Sequence, residues 1–252
     1  MAYVFDKLFF IGPMSLGDSF VTAGIANYYG DRCRELHYPA LPSYYKTLKT
    51  LFQDHPNIKV IPLSAPDLEN EYVEHHRLSR IMRMGFESHV INNFRIVTMW
   101  DLQLYANYGL SADLRYSNFR LPKHIAGSDE LYDRLSGGEP YILLHRRTGD
   151  ARNGIPINVP AFREANNLPP IKIIEVTEDI TDNMMHYVKL IENAQEIHVV
   201  GSSFHCLVDS IPTKAQLFFH DVRARTSMML NSVWNDKTWM VINYPNKIDN
   251  VD

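Results

Sequence analysis

Short apolar runs alternate with longer amphipathic segments along both halves of the 252-residue chain, and this alternation limits the folds that the chain can adopt. In the first half, residues 8–12 (LFFIG) and 58–63 (IKVIPL) are short enough to be buried strands. The second half has more such runs, at 141–146, 171–176, 196–201, 215–220 and 238–244. Strands that alternate with helices in the sequence form parallel sheets. The sequence therefore predicts an α/β fold with two Rossmann-like domains facing a cleft.

A polar stretch follows residues 119–122 (FRLP) and separates the two halves. We place a domain boundary there, with an N-terminal domain over 1–125 and a C-terminal domain over 126–252. Apolar spacing and flanking glycines predict helices at 19–30, 43–53, 67–83, 100–109, 179–194, 202–211 and 223–234. Thr181 is the predicted cap of the helix at 179–194, and the segment 89–97 is ambiguous.

Composition excludes several classes of protein. The net charge is −4 and the sequence pI is near 6.2, so a general binder of nucleic acid or of membrane surfaces is not expected. The two cysteines, Cys33 and Cys206, lack metal-ligand spacing, which fits a reducing, cytoplasmic location without a disulfide framework or a zinc site. No stretch approaches the ~18 apolar residues of a membrane-spanning helix, so no transmembrane segment is expected.

Two adjacent arginines, Arg146 and Arg147, end the apolar run at 141–146. A guanidinium is seldom buried without a partner, and its paired N–H donors suit phosphate oxygens. These residues therefore indicate an anion site. The alternative is an ion-pair cluster on the surface with Asp150, Glu175 or Glu178.

A second anion site is indicated by the segment VVGSSFHCLVDSI, in which Ser202 and Ser203 follow a predicted strand and open a helix. Free backbone N–H groups, hydroxyls and the helix dipole attract an anion there, although serine is also a common helix cap. Together with the arginines, this turn predicts a diphosphate site that needs no metal and no separate cofactor.

The loop IGPMSLGDSF has Gly12 and Gly17 for close backbone approach and Asp18 at the start of a helix. It lacks the glycine spacing of dinucleotide-binding and Walker loops. A carboxylate would also repel a phosphate, so a different role is expected. The alternative is that Asp18 only caps its helix.

Aromatic side chains are crowded around Asp101 and Arg115 before the domain boundary, namely Trp100, Tyr105, Tyr108, Tyr116 and Phe119. An aromatic platform beside a carboxylate suits a sugar, so Asp101 and Tyr105 are predicted to contact an acceptor. The alternative is that an aromatic stripe at helical spacing belongs to the core.

Two of these segments resemble motifs of known families. The segment SLGDSFVTAGIANYY resembles the N-terminal Gly-Asp loop of the heptosyltransferase family, which implies that Asp18 is the catalytic base and that Gly17 lies at the substrate. The segment ILLHRRTGD resembles the His-x-Arg-Arg motif of the fucosyltransferase superfamily, in which an arginine binds the nucleotide diphosphate. Here His145 directly precedes Arg146, one residue tighter than in that motif, so the resemblance leaves open which arginine has this role.

The turn VVGSSFHCLVDSI resembles the serine-containing turn that both families use at the diphosphate. The resemblance implies donor contacts from Ser202, Ser203, Phe204 and His205. Glu175 follows a strand at a place where such folds often hold the ribose or base of the nucleotide. These short motifs span both halves and imply a compact glycosyltransferase of the two-Rossmann-domain (GT-B) type.

The resulting hypothesis is a metal-independent, inverting glycosyltransferase. Its C-terminal half would bind a nucleotide-sugar donor, and its N-terminal half would bind a glycan or glycolipid acceptor, whose hydroxyl is deprotonated by Asp18. One alternative is a nucleotide- or sugar-phosphate-binding protein without catalysis, in which Asp18 is only a cap. Another is a sugar-nucleotide enzyme such as an epimerase, which the lack of a suitably placed Tyr-x-x-x-Lys pair disfavours.

Overall fold

The computed structural model describes residues 5–11, 15–63, 80–83, 104–106, 108–148, 154–223 and 236–248. The chain divides into two compact units, of which the first reaches Ile125 and the second begins at Ala126. Each unit contains a parallel β-sheet accompanied by helices, so the predicted α/β class with parallel sheets is confirmed.

The first unit begins with a strand that leads directly into a long helix. Its described elements are β1 (Phe5–Ile11), α1 (Leu16–Gly30), β2 (Cys33–Ala40), α2 (Pro42–Leu51), β3 (Ile58–Pro62), β4 (Arg80–Arg83) and α3 (Leu114–Ser117). The strand order is β3-β2-β1-β4, and all neighbouring strands are parallel. The order reverses direction between β1 and β4, which is where ligands bind in open α/β sheets, outside the carboxyl ends of the strands.

Helix α1 is buried on nearly all sides, which explains why apolar and small residues occupy most of its length. Gly24 allows the backbone of α3 to approach, because a Cβ at this position would lie 2.1 Å from the carbonyl oxygen of Leu114. Asn118 Nδ2 donates to the Gly24 carbonyl at 2.8 Å, and Asn27 Nδ2 donates to the Asn118 carbonyl at 2.8 Å. These contacts hold α1 at the centre of the first unit.

The second unit has a five-stranded parallel sheet in the order β6-β5-β7-β8-β9. Its strands are β5 (Tyr141–His145), β6 (Lys172–Glu175), β7 (Glu196–Val200), β8 (Gln216–Arg223) and β9 (Trp239–Ile248). Its described helices are α4 (Ser128–Ser136), α5 (Val159–Ala165), a 3-10 helix (Met184–Tyr187), α6 (Val188–Asn193) and α7 (Ser203–Ser210). The strand order reverses direction between β5 and β7.

All five residues of β5 and all five of β7 are buried, as expected for central strands of a parallel sheet. Buried Ile142 and Leu144 of β5 pack with Val200 of β7 in one apolar cluster. Strand β7 also buries two polar residues, Glu196 and His198, which need hydrogen-bond partners in the core.

A chain of hydrogen bonds crosses the sheet from β9 to β7 and satisfies these polar groups. Tyr244 Oη lies 2.7 Å from His220 Nδ1, His220 Nε2 lies 3.0 Å from His198 Nδ1, and His198 Nε2 lies 3.2 Å from Glu196 Oε2. Arg163 of α5 also donates to Glu196. A carboxylate only accepts hydrogen bonds, so with both imidazoles neutral every donor in the chain points toward Glu196.

We expect the free energy of unfolding to fall as the pH drops below about 6.5, the pKa of an unperturbed histidine. Burial lowers the pKa of His220 to about 3 and that of His145 to about 4. The unfolded chain then binds protons that the folded chain does not, so stability is complete above about pH 6.5 and is lost as the pH falls toward the folded pKa values. The expected loss is about 1.4 kcal/mol per pH unit for each histidine. Urea unfolding at a series of pH values measures it.

His220→Gln is the matched variant for this test, because glutamine can both donate and accept a hydrogen bond but does not titrate. Its free energy of unfolding should also fall as the pH drops, but less steeply than that of the unsubstituted chain. The difference in slope should be about 1.4 kcal/mol per pH unit, because one proton fewer is taken up on unfolding. An identical slope in the two proteins would contradict the assignment of a neutral, buried His220.

All seven strands predicted from apolar runs are confirmed, with ends that differ by a few residues. The predicted helix over 67–83 is wrong at its end, because Arg80–Arg83 forms strand β4. The segments 67–79, 89–97 and 224–234 lie outside the described residues, as do 100–103 and 107. The predicted cap Thr181 is also wrong, because the side chain of Asn183 accepts the Met185 N–H at 3.1 Å and the 3-10 helix begins there.

Sequence reasoning missed four elements, namely β2, α3, α4 and α5. Strand β2 has charged residues and a proline that interrupt its apolar run. Helix α4 lies in the polar stretch after the predicted boundary, between Gly127 and Gly137 with φ of 86° and 62°. Glycine adopts positive φ at little energetic cost, so these two glycines mark the two ends of the helix.

Among the residues that the structure describes, no helix combines the length and the apolar character needed to cross a membrane.

Candidate functional site

Asp18 is the third residue of α1 and follows the carboxyl end of β1. The cap of this helix is Ser15, whose Oγ accepts the Asp18 N–H at 3.2 Å. Ser15 Oγ in turn donates to Asp18 Oδ2 at 2.6 Å. The Ser-x-x-Asp spacing is that of a capping box, in which the carboxylate also bonds the backbone of the cap, as Asp18 does with Ser15. Ser15, which sequence reasoning missed, could have been found from the Ser-x-x-Asp spacing.

The environment of Asp18 favours proton binding. Burial raises the pKa of this carboxyl above its ordinary value, whereas the hydrogen bonds from Ser15 lower it. A carboxylate with a raised pKa at a strand end is chemically suited to accept a proton from a hydroxyl. Gly17 precedes it in the first turn of α1 and is buried. Gly12 lies outside the described residues.

The two residues proposed for the acceptor are not supported equally by the structure. Tyr105 is fully buried, and its hydroxyl donates to the Val21 carbonyl at 2.8 Å. It therefore packs the core beside α1, as the alternative interpretation of the aromatic cluster expected, and presents no surface to a sugar. Asp101 lies outside the described residues.

In the second unit, the carboxyl ends of β5 and β7 meet at the point where the strand order reverses. His145 ends β5, and its Nδ1 lies 3.2 Å from the hydroxyl of Ser202, the residue that follows Gly201 after β7. The His145 ring stacks on Phe204 with centroids 5.1 Å apart. Burial and the nearby charge of Arg147 lower the pKa of His145 to about 4, so this histidine is neutral at pH 7.

Ser202 is the cap of α7, since its Oγ accepts the His205 N–H at 3.3 Å. Ser202 and Ser203 are partly exposed, so the first turn of α7 can meet a ligand. Amide groups of a first helical turn lack partners within their own helix and carry partial positive charge. The beginning of α7 therefore offers a hydroxyl and the dipole to an anion.

Phe204 and His205 are fully buried, which corrects the expectation that their side chains contact the donor. Phe204 packs under His145 and edge-on to Tyr187, with ring centroids 5.8 Å apart. His205 packs against Phe219 and Trp239, with centroids 4.8 and 4.7 Å away. Both residues anchor α7 to the sheet through the core, a role that sequence alone could not separate from binding.

The two arginines after β5 have different surroundings. Arg146 Nε and Nη2 donate to the two carboxylate oxygens of Glu175 at 3.0 and 3.4 Å. For Arg146, the structure therefore shows the ion pair with Glu175 that was the alternative to an anion site. Arg147 is partly exposed, and its buried Nε has no hydrogen-bond partner among the described residues. Of the two arginines, Arg147 is therefore the one whose Nε has no partner among the described residues. Asp150 lies outside the described residues.

A cavity of about 390 Å³ lies elsewhere in the first unit, at the opposite end of α1 from Asp18. Arg120 Nη1 donates to Asp31 at 2.9 Å in its wall, and His55 Nε2 lies 3.2 Å from the same carboxylate. The Arg120 hydrogen bond lowers the pKa of Asp31. Because these charges satisfy one another, the cavity has no particular suitability for a phosphate, and we assign it no ligand.

No family model and no curated protein matches the sequence of this chain. Solved structures with the same fold include the iron-containing dodecameric glycosyltransferase TibC from enterotoxigenic E. coli H10407. The two chains are 14% identical with a TM-score of 0.57, and the match covers 93% of this chain. This chain spans only 65% of the length of TibC.

Two further structures are similar. One is E. coli ADP-heptose LPS heptosyltransferase II, with 13% identity, a TM-score of 0.53, and coverage of 97% of this chain and 92% of that one. The other is a glycosyl transferase family 9 protein from Veillonella parvula DSM 2008, with 8% identity, a TM-score of 0.57, and coverage of 95% and 86%. The predicted resemblance to heptosyltransferases is therefore confirmed at the level of the fold.

TibC is described as containing iron, and one of its structures is a complex with ADP-D-β-D-heptose. Within the ranges of this chain that the structure describes, no three His, Cys, Asp or Glu side chains lie close enough together to hold a metal ion. We therefore assign no described residue to an iron site and derive no step from one.

Proposed function

We propose that this protein is a glycosyltransferase that moves a sugar from a nucleotide-diphosphate sugar to a hydroxyl of a glycan or glycolipid. The observation that carries the proposal is Arg147, a partly exposed arginine with an unsatisfied Nε that follows two residues after His145, whose Nδ1 lies 3.2 Å from the Ser202 hydroxyl at the start of α7. A guanidinium and a helix amino terminus both favour a phosphate. The fold shared with heptosyltransferases makes a diphosphate of a sugar donor the appropriate choice.

In the proposed reaction, the acceptor hydroxyl attacks the anomeric carbon while its proton passes to the Asp18 carboxylate. The bond between the anomeric carbon and the diphosphate oxygen breaks, and the nucleoside diphosphate leaves with the bonding electrons. Arg147 and the α7 dipole stabilise the charge that develops on this leaving group. A single displacement of this kind inverts the anomeric configuration.

A thermal-shift screen against ADP-, UDP-, GDP- and dTDP-sugars and a CMP-sugar tests the donor site, because a ligand that binds only the folded state raises the melting temperature. We expect stabilisation by one of the nucleotide-diphosphate sugars and by its nucleoside diphosphate, followed by sugar transfer in an acceptor screen. Absence of any shift would contradict the proposal. Binding without transfer or donor hydrolysis would favour a non-catalytic nucleotide-binding protein.

We also propose that transfer needs no divalent metal, because Arg147 and α7 already supply positive charge at the leaving diphosphate. Activity measured with excess EDTA should equal activity with added magnesium or manganese. A strict requirement for either ion, or a loss of activity that iron restores, would contradict this part of the proposal.

A further inference from the structure

Arg146 holds both ends of the segment 147–154. Its carbonyl oxygen accepts the Ile155 N–H at 2.7 Å, which closes the backbone at the base of the segment. Its guanidinium lies against Gly154, where an added Cβ would be 2.9 Å from Nη1 and 3.2 Å from Cζ. Gly154 has a φ of 85°, which a side chain would also make unfavourable. The Arg146 side chain thus occupies a space that only glycine leaves open.

The opposite side of the Arg146 guanidinium is held by Glu175 on the neighbouring strand. The two nitrogens and two oxygens of the pair form a fork, and each side chain is 31% exposed. Strand β6 lies beside β5 with Leu144 paired to Glu175, so the carboxylate is fixed near the same sheet edge as the anion site. Without Arg146, the Glu175 carboxylate would lose this partner and present an uncompensated negative charge beside the end of β5.

We propose that Arg146 is a positioning residue of the donor site, while the neighbouring Arg147 contacts the diphosphate. Arg146 fixes the base of the segment 147–154 and cancels the charge of Glu175, which would otherwise repel the ligand. This inference rests on the proposed function, because it assigns a role in binding a nucleotide diphosphate. It also predicts that the charge of Arg146 is needed for its pairing with Glu175 and not for direct contact with phosphate.

A charge swap separates positioning from direct contact. Arg146→Glu alone places two carboxylates together and should weaken ADP, UDP or GDP binding at least ~10-fold, on the scale of a lost charge-assisted contact. The double variant Arg146→Glu with Glu175→Arg restores an ion pair and should bind within about 3-fold of the unsubstituted chain. If Arg146 contacts the phosphate directly, the swapped chain should bind as weakly as the single variant, and the inference is overturned.

Thermal unfolding without any ligand keeps this test separate from the test of function. The single variants Arg146→Glu and Glu175→Arg should each melt at a lower temperature, by about 2–4 °C for each kcal/mol lost. The double variant should recover most of that loss. If no nucleotide binds the unsubstituted chain, the proposed function fails, and recovery of the melting temperature then still decides whether the Arg146–Glu175 pair holds the segment. Additive losses in the swapped chain would overturn the pairing itself.

Discussion

Asp18→Asn should lower turnover by ~100-fold or more, the usual scale for loss of a general base, while the fold remains intact. Asparagine has nearly the same shape as aspartate and keeps an oxygen that can accept the Ser15 hydroxyl, now 2.6 Å from Asp18 Oδ2. It cannot accept the proton of an acceptor hydroxyl. Turnover with saturating donor, the affinity for donor and the melting temperature should be measured on the same preparation.

The structure supplies a control for this experiment, because Ser15 and not Asp18 caps α1. Ser15→Ala removes the cap at a cost of ~1 kcal/mol and leaves the carboxylate in place. We therefore expect Ser15→Ala to lose stability with turnover largely retained, and Asp18→Asn to lose turnover with stability largely retained. If Asp18→Asn keeps its turnover, Asp18 is not the base, and Asp101 is the next carboxylate to replace.

The pH dependence of transfer offers an independent measurement. Burial raises the pKa of Asp18, so its carboxyl binds a proton at a higher pH than an ordinary aspartate does. Turnover should therefore fall as the pH drops through this raised pKa, because a protonated carboxyl cannot act as base. Ser15→Ala removes the side-chain hydrogen bond that lowers the same pKa, so the acid limb of its turnover should move to higher pH.

Apolar runs were sufficient to predict the central strands of both sheets. β5 and β7 are covered on both faces, and strands of this kind have apolar residues at most positions. Strand β2 was missed because its exposed and half-buried positions carry Arg34, Glu35 and Pro39, which interrupt the apolar run. The error at β4 arose because the charged segment 67–83 has apolar residues at helical spacing, so the helix was extended over Arg80–Arg83. Local pattern does not decide between the two periods in a strand of four residues.

For the candidate site too, the sequence was sufficient to predict some features and not others. The sequence placed Asp18, His145 and Ser202 at the carboxyl ends of strands, and strand order then brings His145 and Ser202 within 3.2 Å. It could not separate Arg146 from Arg147, because that difference depends on the pairing of β5 with β6, which brings Glu175 to only one of them. It also could not show that Tyr105 is fully buried, because an aromatic side chain has the same sequence signature in a core and at a surface.

Arg147→Ala should weaken the binding of a nucleoside diphosphate by roughly 1.5–3 kcal/mol, or ~10- to 150-fold, the range for a charge-assisted hydrogen bond. The expected loss is large because Arg147 is partly exposed and no described residue pairs with its Nε, so its guanidinium is not committed to an ion pair of the kind that Arg146 makes. Calorimetric titration with ADP, UDP and GDP measures the change. Lys214→Ala is a matched control, because it removes an exposed cation from the same unit.

Two further variants separate a direct contact from a general electrostatic effect. Arg147→Lys keeps the charge but loses the planar fork, so it should recover only part of the affinity. Raising the salt concentration should weaken nucleotide binding more in the unsubstituted chain than in Arg147→Ala. The variant has already lost the charge interaction that salt screens. The swap of Arg146 and Glu175 should not restore binding when Arg147 is alanine, since the pair only positions the site. Unchanged affinity in Arg147→Ala would show that both arginines serve ion pairs of the fold, and the donor site would have to lie elsewhere.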